Sequence, residues 1–122
     1  MKTLLAITTI AVLVAIPAAM AATAQGNTMS IGITAQNMKF NTSTITVPAS
    51  DKVTVNFNNM DSVVHNVAFY TDSTAKTSIF IGAPIKGPKT STYTFTAPSK
   101  TGTYFFRSDS NPKTMTGKFI VK

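Results

Sequence analysis

The chain has 122 residues, a formal net charge of +7, no cysteine and a single histidine. This length accommodates one small domain with one hydrophobic core and leaves no room for a second domain. The absence of cysteine excludes disulfide bonds, thiolate metal ligands and cysteine nucleophiles, so packing of the core alone must hold the fold together.

Residues 1–24 have the layout of a secretory signal peptide. A basic residue is followed by an apolar run over residues 4–16 and then by small residues that allow cleavage after Ala24 or Ala21. The alternative is an uncleaved membrane anchor, but a run of about 13 residues is short against the roughly 20 needed to span a bilayer. We therefore predict cleavage after Ala24, an extracytoplasmic location (periplasmic, cell-surface or secreted) and one domain over residues 25–122.

From residue 25 onward, β-branched and aromatic residues alternate with polar ones, a pattern typical of β-strands. Thr54, for example, lies between Val53 and Val55. Strands are predicted at residues 29–35, 43–49, 52–59, 65–70, 91–97, 102–108 and 116–122, and a short turn at 73–80. Short strands at this spacing predict an all-β fold, a two-sheet antiparallel sandwich with Greek-key connections and about 7 or 8 strands.

His65 and Met115 are the first candidates for chemistry. His65 opens a predicted strand directly after the loop at 58–64, where a lone histidine most simply satisfies a local backbone group. Met115 lies in the last hairpin, where methionine is a common gap filler. Loops at the same end of a sandwich can meet, so a site shared by His65 and Met115 is the second hypothesis.

Two stretches carry motifs in a specific order and spacing. "MKFNTSTITVPASDKVTVNFNNMDSVVHNVAFY" (38–70) contains N-x-D-x-x-x-H-N as Asn59, Asp61, His65 and Asn66. "GTYFFRSDSNPKTMTGKFIVK" (102–122) follows G-x-Y-x-F-x-C-x-x-H-P-x-x-M-x-G-x-F-x-V at all positions except the cysteine and the histidine. On these motifs, residues 29 to 122 resemble the cupredoxin family of plastocyanin-like blue copper proteins, which implies a cupredoxin-type β-sandwich.

The resemblance also implies where copper ligands would lie. His65 matches the first ligand histidine and Met115 the axial methionine, while Ser108 stands at the cysteine position and Asn111 at the second histidine. A blue copper site needs two imidazoles and a thiolate around a weak axial thioether. A neutral hydroxyl and an amide oxygen are poor copper ligands, so the resemblance implies a degenerate site without blue-copper electron transfer.

Ser108 and Asn111 can keep the shape of the loop without a metal. Their side chains can hydrogen-bond to each other or to the loop of His65, at about 1 kcal/mol for each bond. Asn66, which in the family hydrogen-bonds between the two ligand loops, is present. We therefore predict a binding or structural module that is not an enzyme.

Two alternatives remain open, and no cofactor is assigned with certainty. One is a weakened copper site that favours Cu(I) and serves copper handling, with His65, Met115 and the further thioethers of Met38 or Met60, since soft thioethers select Cu(I). The other is a modified member of an electron-transfer system, with natural or engineered substitutions at Ser108 and Asn111.

Hydrolysis and nucleic-acid binding are disfavoured. For a nucleophilic Ser108 the nearest base is His65, and the sequence places no aspartate as its orienting partner. The lysines are scattered from Lys39 to Lys122 with no run of three, which does not indicate nucleic-acid binding. Without Lys2 the net charge is +6, compatible with an acidic redox or cell-envelope partner that the sequence does not identify. Contact with a membrane is expected only through an uncleaved signal segment.

Overall fold

The computed structural model describes residues 27–122, so the predicted signal peptide lies outside the described residues. Within this range the regular structure is entirely β. The strands are β1 (Thr28–Gln36), β2 (Lys39–Phe40), β3 (Thr44–Val47), β4 (Lys52–Asn59), β5 (Val64–His65), β6 (Ala68–Tyr70), β7 (Ser78–Ile81), β8 (Ile85–Lys86), β9 (Lys89–Thr96), β10 (Gly102–Arg107) and β11 (Thr116–Val121). None of the described residues forms a helix with the length and apolarity needed to cross a membrane.

The strands form a sandwich of two main sheets. The first has the order β2-β1-β4-β9 and the second β3-β11-β10-β6-β7, while β5 and β8 make a separate two-stranded ribbon. The prediction of an all-β sandwich is confirmed. The expected antiparallel pairing is found for all described strand pairs except two, because β1 pairs with β4 and β3 pairs with β11 in parallel. The chain crosses to the second sheet through β3 before it returns as β4, and it therefore re-enters beside β1 in the same direction.

Two segments differ from the predicted elements. The segment 73–80 holds the predicted short turn at 73–74 but then continues into β7, which pairs with β6 along the edge of the second sheet. The predicted strand at 65–70 is divided into β5 and β6 between His65 and Ala68. The division follows from the Asn66 side chain, which donates to the carbonyl of Gly82 at 2.9 Å and holds the chain where it passes from the ribbon to the second sheet.

The core lies between the two main sheets and combines branched aliphatic side chains with a cluster of aromatic rings. In β4 the side chains of Val53, Val55 and Phe57 are buried and alternate with more exposed residues, as the sequence pattern predicts. The ring centroid of Phe69 lies 4.9 Å from that of Phe119. Burial of each such side chain contributes about 1.5–3 kcal/mol. A Cβ at Gly117 would collide with the ring of Phe106, so this position requires glycine.

One end of the sandwich carries the segments of interest. The β1–β2 turn (37–38), the segment from β4 into β5 (60–66) and the β10–β11 hairpin loop (108–115) are joined there by hydrogen bonds between their side chains and backbones. We call these three segments together the loop end.

Candidate metal centre

His65 is the centre of the loop end and is completely buried, with 0% of its surface exposed. It lies in β5, where it pairs with Ile85 of β8. Its Nε2 is 2.9 Å from Oδ2 of Asp61, and its Nδ1 is 3.2 Å from Oγ of Ser108. An ionised Asp61 accepts a hydrogen bond, so Nε2 carries the proton, and the Nδ1 lone pair of a neutral ring then accepts the hydroxyl of Ser108. Both ring nitrogens are thereby satisfied within the protein.

Asp61 holds this arrangement from the outer side. Besides His65, its carboxylate accepts the backbone N–H of Asn37 at 2.7 Å and of Met38 at 2.9 Å. These two residues have φ values of 55° and 60°, and the flanking Gln36 and Lys39 pair across the two-residue hairpin. Adjacent left-handed residues point successive N–H groups to one side, which makes an anion-binding concavity.

The pKa of Asp61 is lowered from its ordinary value. Burial by itself raises the pKa, since it disfavours the charged carboxylate. The hydrogen bonds from Met38, His65 and Asn37 stabilise the carboxylate and lower the pKa, and the net shift is downward. Asp61 is therefore a fixed anion beside the buried ring.

The loop between β10 and β11 is closed by its own backbone. The N–H of Ser108 donates to the carbonyl of Met115 at 2.9 Å, and the N–H of Met115 donates to the carbonyl of Asn111 at 3.0 Å. The N–H of Asn111 donates in turn to the carbonyl of Ser108 at 3.1 Å. Ser108 and Met115 are 0% and 1% exposed, and Asn111 is half-buried. The loop shape thus has backbone support that requires no metal.

Asn66 joins the two loops next to His65. Its Oδ1 accepts the backbone N–H of Asp109 at 2.8 Å, and its Nδ2 donates to the Asp109 carboxylate at 3.2 Å. Asp109 also accepts the hydroxyl of Tyr70 at 2.7 Å and Nε of Arg107 at 2.9 Å. The guanidinium of Arg107 lies 4.9 Å from the centroid of the Tyr70 ring. Burial by itself raises the pKa of Asp109. The hydrogen bonds from Tyr70, Arg107 and Asn66 lower the pKa by more than burial raises it, so the net shift is downward.

The structure brings His65, Ser108 and Asn66 into direct hydrogen-bonded contact with neighbouring loops, and it places Met115 at the base of the same hairpin. Of the two options for Ser108 and Asn111, a bond to each other or bonds to the loop of His65, the described residues show the second for Ser108, and the side chain of Asn111 makes no hydrogen bond within residues 27–122. The exposed Met38 and Met60 flank Asp61, with 40% and 48% of their surfaces exposed.

Sequence reasoning assigned no role to Asp61 or Asp109. Asp61 precedes His65 by four residues, but in a loop this spacing implies no contact, and only the folded turn at 37–38 explains its position. Asp109 directly follows Ser108 and is two residues from Arg107. This spacing is the feature of the sequence from which the ion pair with Arg107 could have been predicted.

The residues present do not fit a blue copper ion. The Nδ1 lone pair of His65 is engaged by Ser108, and the remaining donors at the ligand positions are a hydroxyl, an amide and one thioether. Residues 27–122 contain no group of three or more His, Cys, Asp or Glu side chains that could hold a metal ion. This donor set lacks the thiolate and the second imidazole of such a site.

Asp61, His65 and Ser108 have the connectivity of a hydrolytic triad, with the carboxylate on one ring nitrogen and the hydroxyl on the other. The sequence placed no aspartate beside His65, and the structure corrects that point. His65 and Ser108 are both fully buried, so no substrate carbonyl can approach the hydroxyl. The arrangement orders the loops and offers no accessible nucleophile.

Known proteins match this chain in family pattern and in fold, in agreement with the motifs at residues 38–70 and 102–122. A family model described as a cupredoxin-like domain matches residues 6–121. Auracyanin A, a "blue" copper protein of Chloroflexus aurantiacus, is 23% identical with a TM-score of 0.70, over 79% of this chain and 100% of that one. The auracyanin of Roseiflexus castenholzii is 22% identical with a TM-score of 0.68, over 80% and 99% of the two chains. Amicyanin from Paracoccus versutus is 25% identical with a TM-score of 0.55, over 76% and 81%. No curated protein sequence matches the chain.

Proposed function

The chain belongs to the cupredoxin-like family, and we propose that it is an exported binding or structural module that does not perform blue-copper electron transfer. The observation that carries this proposal is the closed chain of hydrogen bonds from Asp61 through His65 to Ser108. Ser108 stands at the position of the thiolate ligand in the family, and its hydroxyl donates a hydrogen bond to Nδ1 of His65. The module keeps the family's loop geometry with hydrogen bonds in place of metal bonds.

The hydrogen bonds of the loop end are strong enough to hold the loops in this geometry. A neutral hydrogen bond contributes about 1 kcal/mol and a bond to a charged group about 1.5–3 kcal/mol. The loop end contains the charged Asp61 with three donors and the charged Asp109 with four hydrogen bonds to its side chain and backbone. Hydrogen bonds of Asn66 to Asp109 and of His65 to Ser108 join the loops at 60–66 and 108–115, and Asp61 joins the first of these loops to the β1–β2 turn.

The proposal includes a non-enzymatic role. Catalysis would require a reactive group open to a substrate, and in the connected set of Asp61, His65 and Ser108 both the imidazole and the hydroxyl are fully buried. Surface recognition is the remaining activity that this geometry favours.

We further propose that the protein is exported and meets an acidic partner of the cell envelope. Export is supported by the signal-peptide layout of residues 1–24, which predicts a mature chain starting at Gln25. The charge of the described surface is predominantly positive, although the Asp72 and Asp109 side chains are partly or fully exposed. Asp61 and Asp109 are engaged in the loop end, Asp72 bonds to neighbouring Thr74, and Asp51 is buried, whereas the lysines of residues 27–122 are exposed. Such a surface favours anionic partners.

Titration of the mature domain with Cu(II), and with Cu(I) under reducing conditions, tests the absence of a copper function. We expect no change in the thermal midpoint with either ion, since a ligand that binds only the native state would raise it. Tight binding at a 1:1 ratio, with a shift of the His65 NMR signals, would contradict the proposal and favour copper handling through His65 and Met115.

Restoration of the missing ligands tests whether this loop is equivalent to a copper loop. The double variant Ser108→Cys, Asn111→His supplies the thiolate and the second imidazole, and it should develop an intense blue band with Cu(II). The matched control is Ser110→Cys combined with Asn111→His, which places the thiol at an exposed position of the same loop and should remain colourless. A folded double variant without the band would show that the loop no longer places these side chains around a metal.

A further inference from the structure

The segment between β2 and β3 contains the tripeptide Asn41-Thr42-Ser43, which has the N-x-S/T pattern of an N-glycosylation acceptor with a residue other than proline in the middle. Seven further asparagines occur in the chain, at positions 27, 37, 56, 58, 59, 66 and 111, and none has serine or threonine two residues later. The pattern therefore singles out one side chain, and the structure decides whether that side chain is available.

Asn41 is exposed and lies in a non-strand segment directly after β2. Its Oδ1 accepts the backbone N–H of Thr34 at 2.9 Å, and its own N–H donates to the carbonyl of the same residue. The amide nitrogen Nδ2 makes no hydrogen bond within residues 27–122. The atom that would carry a sugar is thus free, while the carbonyl oxygen fixes the direction of the side chain.

Open space borders Asn41. A groove of about 380 Å³ is lined by Asn41 together with Thr42, Ser43 and Thr114. A second groove of about 180 Å³ is lined by Asn41 together with Thr34 and Gln36. Because Asn41 is exposed and lines both grooves, the surface around it has room for a sugar.

From the pattern, the exposed free amide and this open space, we propose that Asn41 carries an N-linked glycan on the exported protein. In the reaction the Nδ2 of Asn41 forms a bond to C1 of the first sugar of a lipid-linked oligosaccharide. The bond from C1 to the lipid phosphate oxygen breaks, the phosphate leaves with the bonding electrons, and the Nδ2 proton passes to a base of the transferase. The hydrogen bond from Thr34 to Oδ1 is retained in the product.

The position of Asn41 in the topology indicates what the glycan does. β2 is an edge strand of the first sheet and β3 is an edge strand of the second, and Asn41 lies in the short connection between them. Exposed edges can pair with other chains, and proteins commonly cover or interrupt them. A bulky, hydrophilic chain at this connection covers the neighbouring edges of both sheets.

The glycan proposal rests on the proposed export of the protein, and the experiment distinguishes a failure of the first from a failure of the second. The protein is purified from the cells that make it, its N-terminus is sequenced, and the tryptic peptide bounded by Lys39 and Lys52 is measured by mass spectrometry. We expect an N-terminus at Gln25 and a mass increase on residues 40–52. An unmodified peptide on a chain that starts at Gln25 overturns the glycan and leaves export standing. An unmodified chain that retains residues 1–24 and stays in the cytoplasm contradicts both.

Variants expressed in the same cells assign the modified atom. Asn41→Gln and Ser43→Ala should each abolish the added mass. Thr42→Ala is the matched control, because it changes the same turn but keeps the acceptor pattern, and it should keep the added mass. A mass increase that survives Asn41→Gln but is lost in Thr42→Ala would place the sugar on a hydroxyl and overturn the proposal.

Discussion

Two hydrogen-bonded groups join the same pair of loops, and they differ in the exposure of their charged side chains. The first, the buried chain, consists of Asp61, His65 and Ser108, of which the last two are fully buried. The second, the rim network, consists of Asn66, Asp109, Tyr70 and Arg107. In its ion pair the side chains of Arg107 and Asp109 are 24% and 32% exposed.

The difference in exposure determines how much each group contributes to stability. A buried donor that loses its acceptor has no replacement, and it bears its full desolvation penalty. A donor at the rim can turn to water, so exposed ion pairs contribute little. The two groups have similar numbers of bonds, yet we expect the buried chain to be the more important of the two for stability.

The largest expected effect is that of Asp61→Ala, which removes the acceptor for His65 and for two backbone N–H groups. We expect the free energy of unfolding at pH 7 to fall by about 3 kcal/mol, as is typical for one lost partner of a buried, charge-assisted pair. Urea denaturation measures this change. Asp72→Ala is the matched control, because the exposed carboxylate of Asp72 accepts hydrogen bonds from the neighbouring Thr74, and its effect should be much smaller. Equal losses in the two variants would contradict the special role of the buried chain.

Asp109→Ala tests the rim network in the same assay. It removes the acceptor for Arg107, whose side chain is 24% exposed, and for the hydroxyl of Tyr70, a residue that is 5% exposed. We expect a loss of about 1 kcal/mol, near the usual value of one net hydrogen bond. A loss larger than that of Asp61→Ala would reverse the ranking of the two groups, and it would show that the rim network is the principal tie between the loops.

The free energy of unfolding should depend on pH through the carboxylates of both groups, Asp61 in the buried chain and Asp109 in the rim network. Asp61 and Asp109 have pKa values lowered in the folded protein, so the unfolded chain binds protons more readily than the folded one. Their contribution is fully present above the unfolded pKa of about 3.9 and is lost as the pH falls through the folded pKa values. Urea denaturation between pH 7 and pH 3 should show stability falling below about pH 4. In Asp61→Asn the fall should be shallower, and an unchanged slope would contradict the lowered pKa of Asp61.

The features that the sequence predicts correctly are those that depend on residues close together in the chain. The strand that contains Val53, Val55 and Phe57 is predictable because alternation depends only on neighbouring residues. The family motif likewise places His65 and Ser108 at corresponding ligand positions. The contact between Asp61 and His65 is not predictable in this way, because it depends on a turn that lies more than 20 residues earlier in the chain.

The parallel pairing of β1 with β4 is a second feature of this kind. The residues of both strands have the same alternation that antiparallel strands would have, and the direction is set only by the path of the chain through β3. The side chain of Asn66 similarly interrupts a continuous apolar stretch through bonds to Gly82 and Asp109, which are distant in sequence. Long-range polar contacts of single residues therefore account for most of what the sequence did not predict.

The smallest expected effect concerns the turn that supports the buried chain. Met38 adopts a φ of 60° in the two-residue hairpin, where glycine is strongly preferred, and its side chain is 40% exposed. Met38→Gly should relieve the left-handed strain, keep the N–H that Asp61 accepts, and raise the free energy of unfolding by about 0.5–1 kcal/mol. Met60→Gly is the matched control, since Met60 is similarly exposed but has no positive φ, and it should destabilise the protein. A loss of stability in Met38→Gly would show that packing of the Met38 side chain, rather than backbone geometry alone, holds the turn against Asp61.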